Sequence, residues 1–235
     1  MAGKLYGVGI GPGDPELITI KAKNILEKVD CIAIPKTSSD KSSTALSIAG
    51  GIIGEEKDIF ELLFPMSYNE KLLEDSWSSA IGQIRNKLDE GKDVAFITLG
   101  DPTVYSTYMY IHKVFKNEGY ETEIIPGITS FCASAAKAGI SLGENRETIA
   151  VIPSAYECNN MDEILDNFDS IVLMKVARSL PELKKKLKDK GLLSNAVLVS
   201  KCGFDDEVVE YDLDKINSDS LSYFTTMIIK KSGVV

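Results

Sequence analysis

An apolar strand, Leu5 to Gly9, runs straight into Gly9-Ile10-Gly11-Pro12-Gly13-Asp14-Pro15, and an amphipathic helix follows. Glycines packed this densely at a strand's carboxyl end let backbone approach a ligand or another loop with no Cβ in the way. The spacing refuses a dinucleotide fingerprint. Counting G-x-G-x-x-G from Gly7 places Pro12 at the third glycine, and counting from Gly9 places Asp14 there. The second apolar strand, CIAIP, ends in Pro35 and not in the acidic residue that would hold a ribose. A Walker loop fails as well, because no G-K-[ST] follows.

Strand and helix patterns then alternate. Strands are expected over Leu5–Gly9, Cys31–Ile34, Ile59–Phe64, Val94–Leu99 and Thr122–Ile125, with helices near Leu17–Glu27, Ser42–Gly50, Tyr68–Glu90 and Val104–Asn117. A βαβα series of this kind implies a mostly parallel sheet covered by helices. After Pro126-Gly127 a second series begins. It comprises a small-residue helix over Ile128–Gly139, strands over Ile149–Ile152, Ser170–Lys175, Ala196–Lys201 and Phe224–Lys230, and a basic, solvated helix over Pro181–Lys190. The expected class is therefore α/β: two α/β domains with mostly parallel sheets flanking a central cleft, residues 1–125 and 126–235. Trp77, in line with Leu72, Leu73, Ile81, Ile84 and Leu88, reads as core or domain-interface packing and not as a ligand platform.

The remaining composition narrows the chemistry. No apolar run approaches the roughly 18 residues that span a membrane, and the amino terminus lacks a charged-then-apolar signal region, so cytoplasm is expected. A net charge of −9 argues against nucleic acid as the main partner. The four cysteines, Cys31, Cys132, Cys158 and Cys202, form no C-x-x-C pair. Cys31 and Cys132 lie in apolar surroundings where a buried free thiol is expected, and no resident metal is expected. His112 is the single histidine, too little imidazole for a chelatase or a histidine-based hydrolase.

Two further turns follow strands: Leu99-Gly100-Asp101-Pro102-Thr103-Val104-Tyr105 and Pro126-Gly127-Ile128-Thr129-Ser130. Either alone is a common turn, but three glycine turns at three strand ends mark the usual ligand edge of an open α/β sheet. In this order they resemble the tetrapyrrole methylase family, the class III S-adenosylmethionine-dependent methyltransferases. The resemblance extends through CIAIPKTSSDKSSTALSIA, LLFPMSYNE, DVAFITLGDPTVYSTYMYI, IIPGITSFCASAAKAGI and VLMKVARSL. Within the family it is finest to the branch that methylates carbon 20 of precorrin-2 or cobalt-factor II.

That resemblance implies S-adenosylmethionine as methyl donor, a tetrapyrrole acceptor, homodimeric assembly, and neither membrane nor nucleic acid as partner. It implies donor contacts at Pro12, Leu99, Gly100, Asp101, Val104, Thr129, Ser130, Met174 and Cys202. Asp101 also suits a helix N-cap ahead of Pro102, and Met174 suits simple core packing. A polycarboxylate acceptor needs local cations, for which Lys36, Lys41, Arg146, Lys175 and Arg178 are candidates; each also suits an ordinary surface charge. Tyr105 and Tyr108 are candidates for orienting the acceptor or removing its bridge proton, against the alternative that both pack one helix face. Rival functions are methylation of another ring carbon, diphthine synthesis, ribosomal RNA ribose methylation and, from a different class, a non-catalytic nucleotide- or tetrapyrrole-binding protein.

Overall fold

The computed structural model describes residues 1–38, 43–65, 70–218 and 221–234. The chain divides into two compact units, Met1–Thr129 and Ser130–Val235. The first unit thus keeps the Pro126-Gly127 turn, which lies beyond the boundary expected after residue 125.

In the first unit, β1 (Leu5–Gly9), β2 (Cys31–Lys36), β3 (Asp58–Leu63), β4 (Val94–Thr98) and β5 (Thr122–Ile125) form one sheet in the order β3-β2-β4-β1-β5. Every pairing is parallel. Strand β1 is buried throughout and β4 almost throughout, as expected for strands covered on both faces. Helices α3 (Glu70–Asp89) and α4 (Tyr108–Asn117) pack on one face, where Ala80, Ile84, Leu88, Ile111 and Phe115 meet Leu5, Ala33, Val94 and Phe96. Trp77 is partly buried beside this core, edge-on to Phe64 at 4.8 Å between ring centres. Helices α1 (Ile20–Lys28) and α2 (Thr44–Ala49) follow β1 and β2.

This strand order sets the ligand edge. After β1 the chain moves toward β2, and after β4 it moves the opposite way, toward β5. Adjacent strands whose connections diverge define a topological switch point at their carboxyl ends. The first two glycine turns leave β1 and β4 at that point, and the third leaves β5 on the far side of β1.

One helix start differs from expectation. Helix α4 begins at Tyr108 and not at Val104. Tyr105 has φ 51°, in the left-handed region, which breaks any continuous helix there. Asp101 therefore heads a turn, with Val104 N donating to its carbonyl at 3.1 Å, and does not cap α4.

The second unit contains α5 (Ser130–Lys137), β6 (Ile149–Ile152), α6 (Met161–Asn167), β7 (Ser170–Met174), α7 (Leu180–Asp189), β8 (Ala196–Ser200), β9 (Val208–Glu210) and β10 (Thr225–Lys230). Its sheet has the order β6-β7-β10-β8-β9. Strands β6, β7 and β8 run the same way, but β10 enters antiparallel between β7 and β8, so only the β6–β7 pairing is parallel. Helix α6 buries Met161, Ile164 and Leu165 at helical spacing, and β9 is a three-residue edge strand; neither was expected. The lysines of α7 face solvent as expected, where Lys186, Lys188 and Lys190 pair with Asp162, Asp214 and Asp166. Cys132 is exposed on α5, whereas Cys31 is buried in β2 and its thiol is pushed up to about 11 by that burial.

Candidate functional site

The three glycine turns of the first unit lock together through their backbones. Gly100 N donates to Gly11 O at 2.9 Å and Gly11 N to Gly100 O at 3.4 Å, an isolated antiparallel bridge between the first two turns. Gly11 and Gly100 both have positive φ, at 79° and 65°. Gly9 and Gly127 lie closer still. A Cβ on Gly127 would stand 2.2 Å from Gly100 O and 2.9 Å from Gly9 Cα, and one on Gly9 would meet Gly127 N at 2.7 Å. Contacts this short admit no side chain, so glycine is required by the neighbouring loops themselves.

Asp101 fastens this assembly. Its side chain is almost fully buried. Oδ2 accepts from Gly127 N at 3.0 Å, and Oδ1 accepts from Thr103 N at 2.7 Å and from Thr103 Oγ1 at 2.5 Å. Three of a carboxylate's roughly four lone-pair directions are thereby taken. One carboxylate ties the second turn to the third, which leaves it little capacity for a ligand.

Beside the clasp, Pro12 is buried, while Leu99, Gly100 and Val104 are half-buried. Thr129 Oγ1 is shielded from solvent and has no hydrogen-bond partner. A buried hydroxyl without a partner carries a desolvation cost that a bound polar group would remove. This orphan suits a ligand with polar ends. Ser130 begins α5 in the second unit.

The two candidate tyrosines separate. Tyr108 is fully buried, its ring lies against Gly7, and its hydroxyl donates to Glu123 O at 3.2 Å. Burial raises its phenol far above the ordinary value. Tyr108 is therefore a core residue, and the packing alternative applies to it. Tyr105 is 59% exposed at the carboxyl edge of the sheet. His112 lies 5.8 Å from the Tyr108 ring, its Nδ1 buried without a partner, and burial followed by Lys116 lowers its pKa.

In the second unit, Met174 ends β7 and lies opposite Thr226 of β10, while Thr225 lies opposite Ser200 at the end of β8. Thr225 and Thr226 are buried polar residues, and Thr225 Oγ1 is 2.9 Å from Ser200 Oγ. Sequence reasoning missed both threonines, since only the antiparallel register of β10 brings them beside Met174. Cys202 is buried two residues beyond β8, its thiol pushed up to about 11 by burial. Lys175 and Lys201, directly after β7 and β8, both have positive φ, at 58° and 52°. The Lys175 ammonium lies 5.3 Å from the centre of the Tyr223 ring.

Within the second unit the expected cations do not gather at one place. Lys36 ends β2 at the ligand edge of the first sheet, but its ammonium is paired to Glu61 at 3.0 Å. Lys41 lies outside the described residues. Arg178 is exposed in the turn after Lys175. Arg146 is exposed in a hollow lined by Glu144, Asn145, Glu147 and Asp169, at the end of the second sheet where β6 and β7 begin. That is the end opposite Met174 and Lys175. The separation arises because Arg146 precedes β6 whereas Lys175 follows β7, and the two strands run parallel.

Comparison with known proteins places these features in context. The family model described as Tetrapyrrole (Corrin/Porphyrin) Methylases matches residues 4–216. A probable cobalt-precorrin-2 C(20)-methyltransferase of Methanocaldococcus jannaschii is 39% identical over 231 residues, covering 97% of this chain and 96% of the relative. The cobalt-precorrin-2 C(20)-methyltransferase of Salmonella typhimurium is 35% identical, covering 98% of each chain. Among solved structures, a cobalt precorrin-4 methyltransferase of cobalamin biosynthesis superposes with a TM-score of 0.74 at 23% identity, covering 97% of this chain and 94% of that one.

Proposed function

The chain belongs to the tetrapyrrole (corrin/porphyrin) methylase family, and on that premise we propose that it transfers a methyl group from S-adenosylmethionine to carbon 20 of cobalt-precorrin-2. The observation that carries the substrate is the near full-length identity of 39% and 35% to two relatives bearing that activity in their names. A bound S-adenosylmethionine supplies an electrophilic methyl on positive sulfur, so the chemistry asks the protein chiefly for alignment. Leu99, Gly100, Val104 and Pro12 shape the donor site, Thr129 Oγ1 gains the partner it lacks, and Asp101 holds the turns in place. Met174 and Cys202, joined by Thr226, are the second unit's donor contacts. Lys36, Lys175 and Arg178 are retained as acceptor contacts; Arg146, at the opposite end of its sheet from Lys175, is not.

The same proposal includes homodimeric assembly and work in the cytoplasm without membrane or nucleic-acid partners. The charge of −9 supports the last point. No helix among the described residues is long and apolar enough to cross a membrane. Ile59 and Leu63, exposed on the edge strand β3, give a dimer apolar surface to cover.

Anaerobic incubation with cobalt-precorrin-2, or with metal-free precorrin-2, and a donor carrying a carbon-13 methyl tests the proposal. One added methyl by mass spectrometry, located at carbon 20 by NMR, is expected, with the cobalt form reacting faster. Methylation at another carbon, or none on either substrate despite donor binding, refutes it.

A further inference from the structure

The turn between β8 and β9 is strained and then held in place. Lys201, the first residue beyond β8, is left-handed at φ 52°, and Gly203 follows at 82°. A residue with a Cβ enters that region at a cost, which persists only where the surrounding contacts impose it. Here they do. Lys201 N donates to Phe224 O at 2.8 Å, Phe204 N to Lys201 O at 3.0 Å, and Glu207 N to Phe204 O at 3.0 Å. One carboxylate adds the remaining ties. Glu207 Oε2 accepts from Gly203 N at 2.6 Å in a partly buried hydrogen bond, and Oε1 pairs with the Lys137 ammonium of α5 at 3.4 Å. Glu207 thereby fixes the turn at Gly203 and joins it to the helix that begins at Ser130.

Cys202 sits at the centre of this turn. Its thiol lies inside, near Ser134 and Glu207, and the residue is 6% exposed. Its main-chain N–H and C=O have no partner among the described residues. Sheltered main-chain groups are almost always paired, with protein, water or ligand. This pair stands just beyond β8, at the end of the sheet where Met174 closes β7 and Thr225 and Thr226 open β10. With the thiol turned inward, the main chain is what Cys202 has left to offer a ligand, and it is only as well placed as the turn that carries it.

We propose that Glu207 is a positioning residue for the methyl donor, holding the β8–β9 turn so that the Cys202 N–H and C=O meet S-adenosylmethionine. The proposal rests on the donor contacts assigned above to Met174, Cys202 and Thr226, and adds the residue that sets the geometry of one of them. Glu207 acts in the second unit as Asp101 acts in the first, one carboxylate closing a turn through a main-chain N–H.

Glu207→Ala and Glu207→Gln, measured beside wild type, provide the test. Donor affinity is read by calorimetry with S-adenosylhomocysteine, acceptor affinity by absorbance titration with cobalt-precorrin-2 without oxygen, and folding by Tm; initial rates give kcat and the donor KM. Glu207→Gln keeps an acceptor for Gly203 N and loses only a partly exposed ion pair, so its donor affinity should stay within about threefold of wild type. Glu207→Ala should lose about tenfold in donor affinity, with the donor KM raised to match, the scale of one displaced hydrogen bond. Its kcat at saturating donor and its acceptor affinity should hold, a split that a general loss of stability would not produce. Should Glu207→Ala not fold, Glu207→Asp, one methylene too short to reach Gly203 N, takes its place with the same expectation.

Unchanged donor affinity in Glu207→Ala overturns the positioning role. So does a joint fall in donor affinity, acceptor affinity and Tm, which would make Glu207 a residue of general stability. A Glu207→Gln enzyme as impaired as Glu207→Ala overturns it too, by assigning the effect to the charge and not to the bond with Gly203. A wild-type chain that binds no S-adenosylhomocysteine removes the proposed function and the positioning role together, whereas an active wild type matched by Glu207→Ala removes the positioning role alone.

Discussion

Replacing Asp101 by asparagine, a change of one atom type at constant shape, tests whether this carboxylate is a clasp or a ligand. The native group accepts from Thr103 N, Thr103 Oγ1 and Gly127 N at 2.7, 2.5 and 3.0 Å while almost fully buried. An asparagine keeps one acceptor oxygen and turns an NH2 toward the remaining donor. Facing Gly127, that amide leaves a half-buried N–H without a partner, at a cost of about 1–2 kcal/mol. Loss of charge weakens the surviving bonds by roughly another 1 kcal/mol. The total, about 2–3 kcal/mol, corresponds to a fall in Tm of about 4–12 °C at roughly 2–4 °C per kcal/mol for a chain of this size. Scanning calorimetry reads the shift, and titration with S-adenosylhomocysteine reads the accompanying loss of donor affinity. A Tm within about 2 °C of wild type would refute the clasp. Weakened donor binding at unchanged Tm would make Asp101 a direct ligand.

Three further outcomes are expected. Gly127→Ala should disable donor binding and lower Tm sharply, because its Cβ would meet Gly100 O at 2.2 Å; Gly82→Ala, within α3 and with nothing inside 4 Å, should stabilise by about 0.5–1 kcal/mol. Equal effects of the two in thermal melts would defeat the close-packing account. Glu123 is held down to about 2 from the ordinary 4.5 by hydrogen-bonded ion pairs with Lys21 and Lys4. A depressed carboxylate contributes stability that is present above pH 4.5 and lost as pH falls toward 2. Glu123→Gln should therefore flatten the acid limb of the stability curve in that window, and added salt should mimic it because these pairs are partly exposed. An unchanged acid limb in urea melts would show that the pairs contribute nothing.

The alternation of strands and helices was legible because burial on both faces of a parallel sheet demands continuous apolar runs, and the fully buried Leu5–Gly9 matches its expected bounds. The start of α4 was not legible, since nothing in Val104-Tyr105-Ser106 announces a left-handed tyrosine. Helix α6 and strand β9 escaped notice because seven and three residues carry too little periodicity to stand out.

The chain's own pattern of residues determined that three glycine turns would leave three strand ends, because strand propensity, turn chemistry and the absence of a Cβ are local properties. It also carried the family, since the turns recur in a set order along the chain. Only the tertiary structure decided what those turns do to one another. That Gly9 and Gly127 exclude side chains, and that Asp101 spends three of its bonds within the turns, follows from β4 and β5 flanking β1. The same holds for the two tyrosines. Tyr105 and Tyr108 are alike in the sequence, yet packing of α4 against Gly7 buries one and the reversed turn presents the other. Contacts between residues far apart in the chain depend on strand order and register, which the sequence encodes only through the energy of the whole fold.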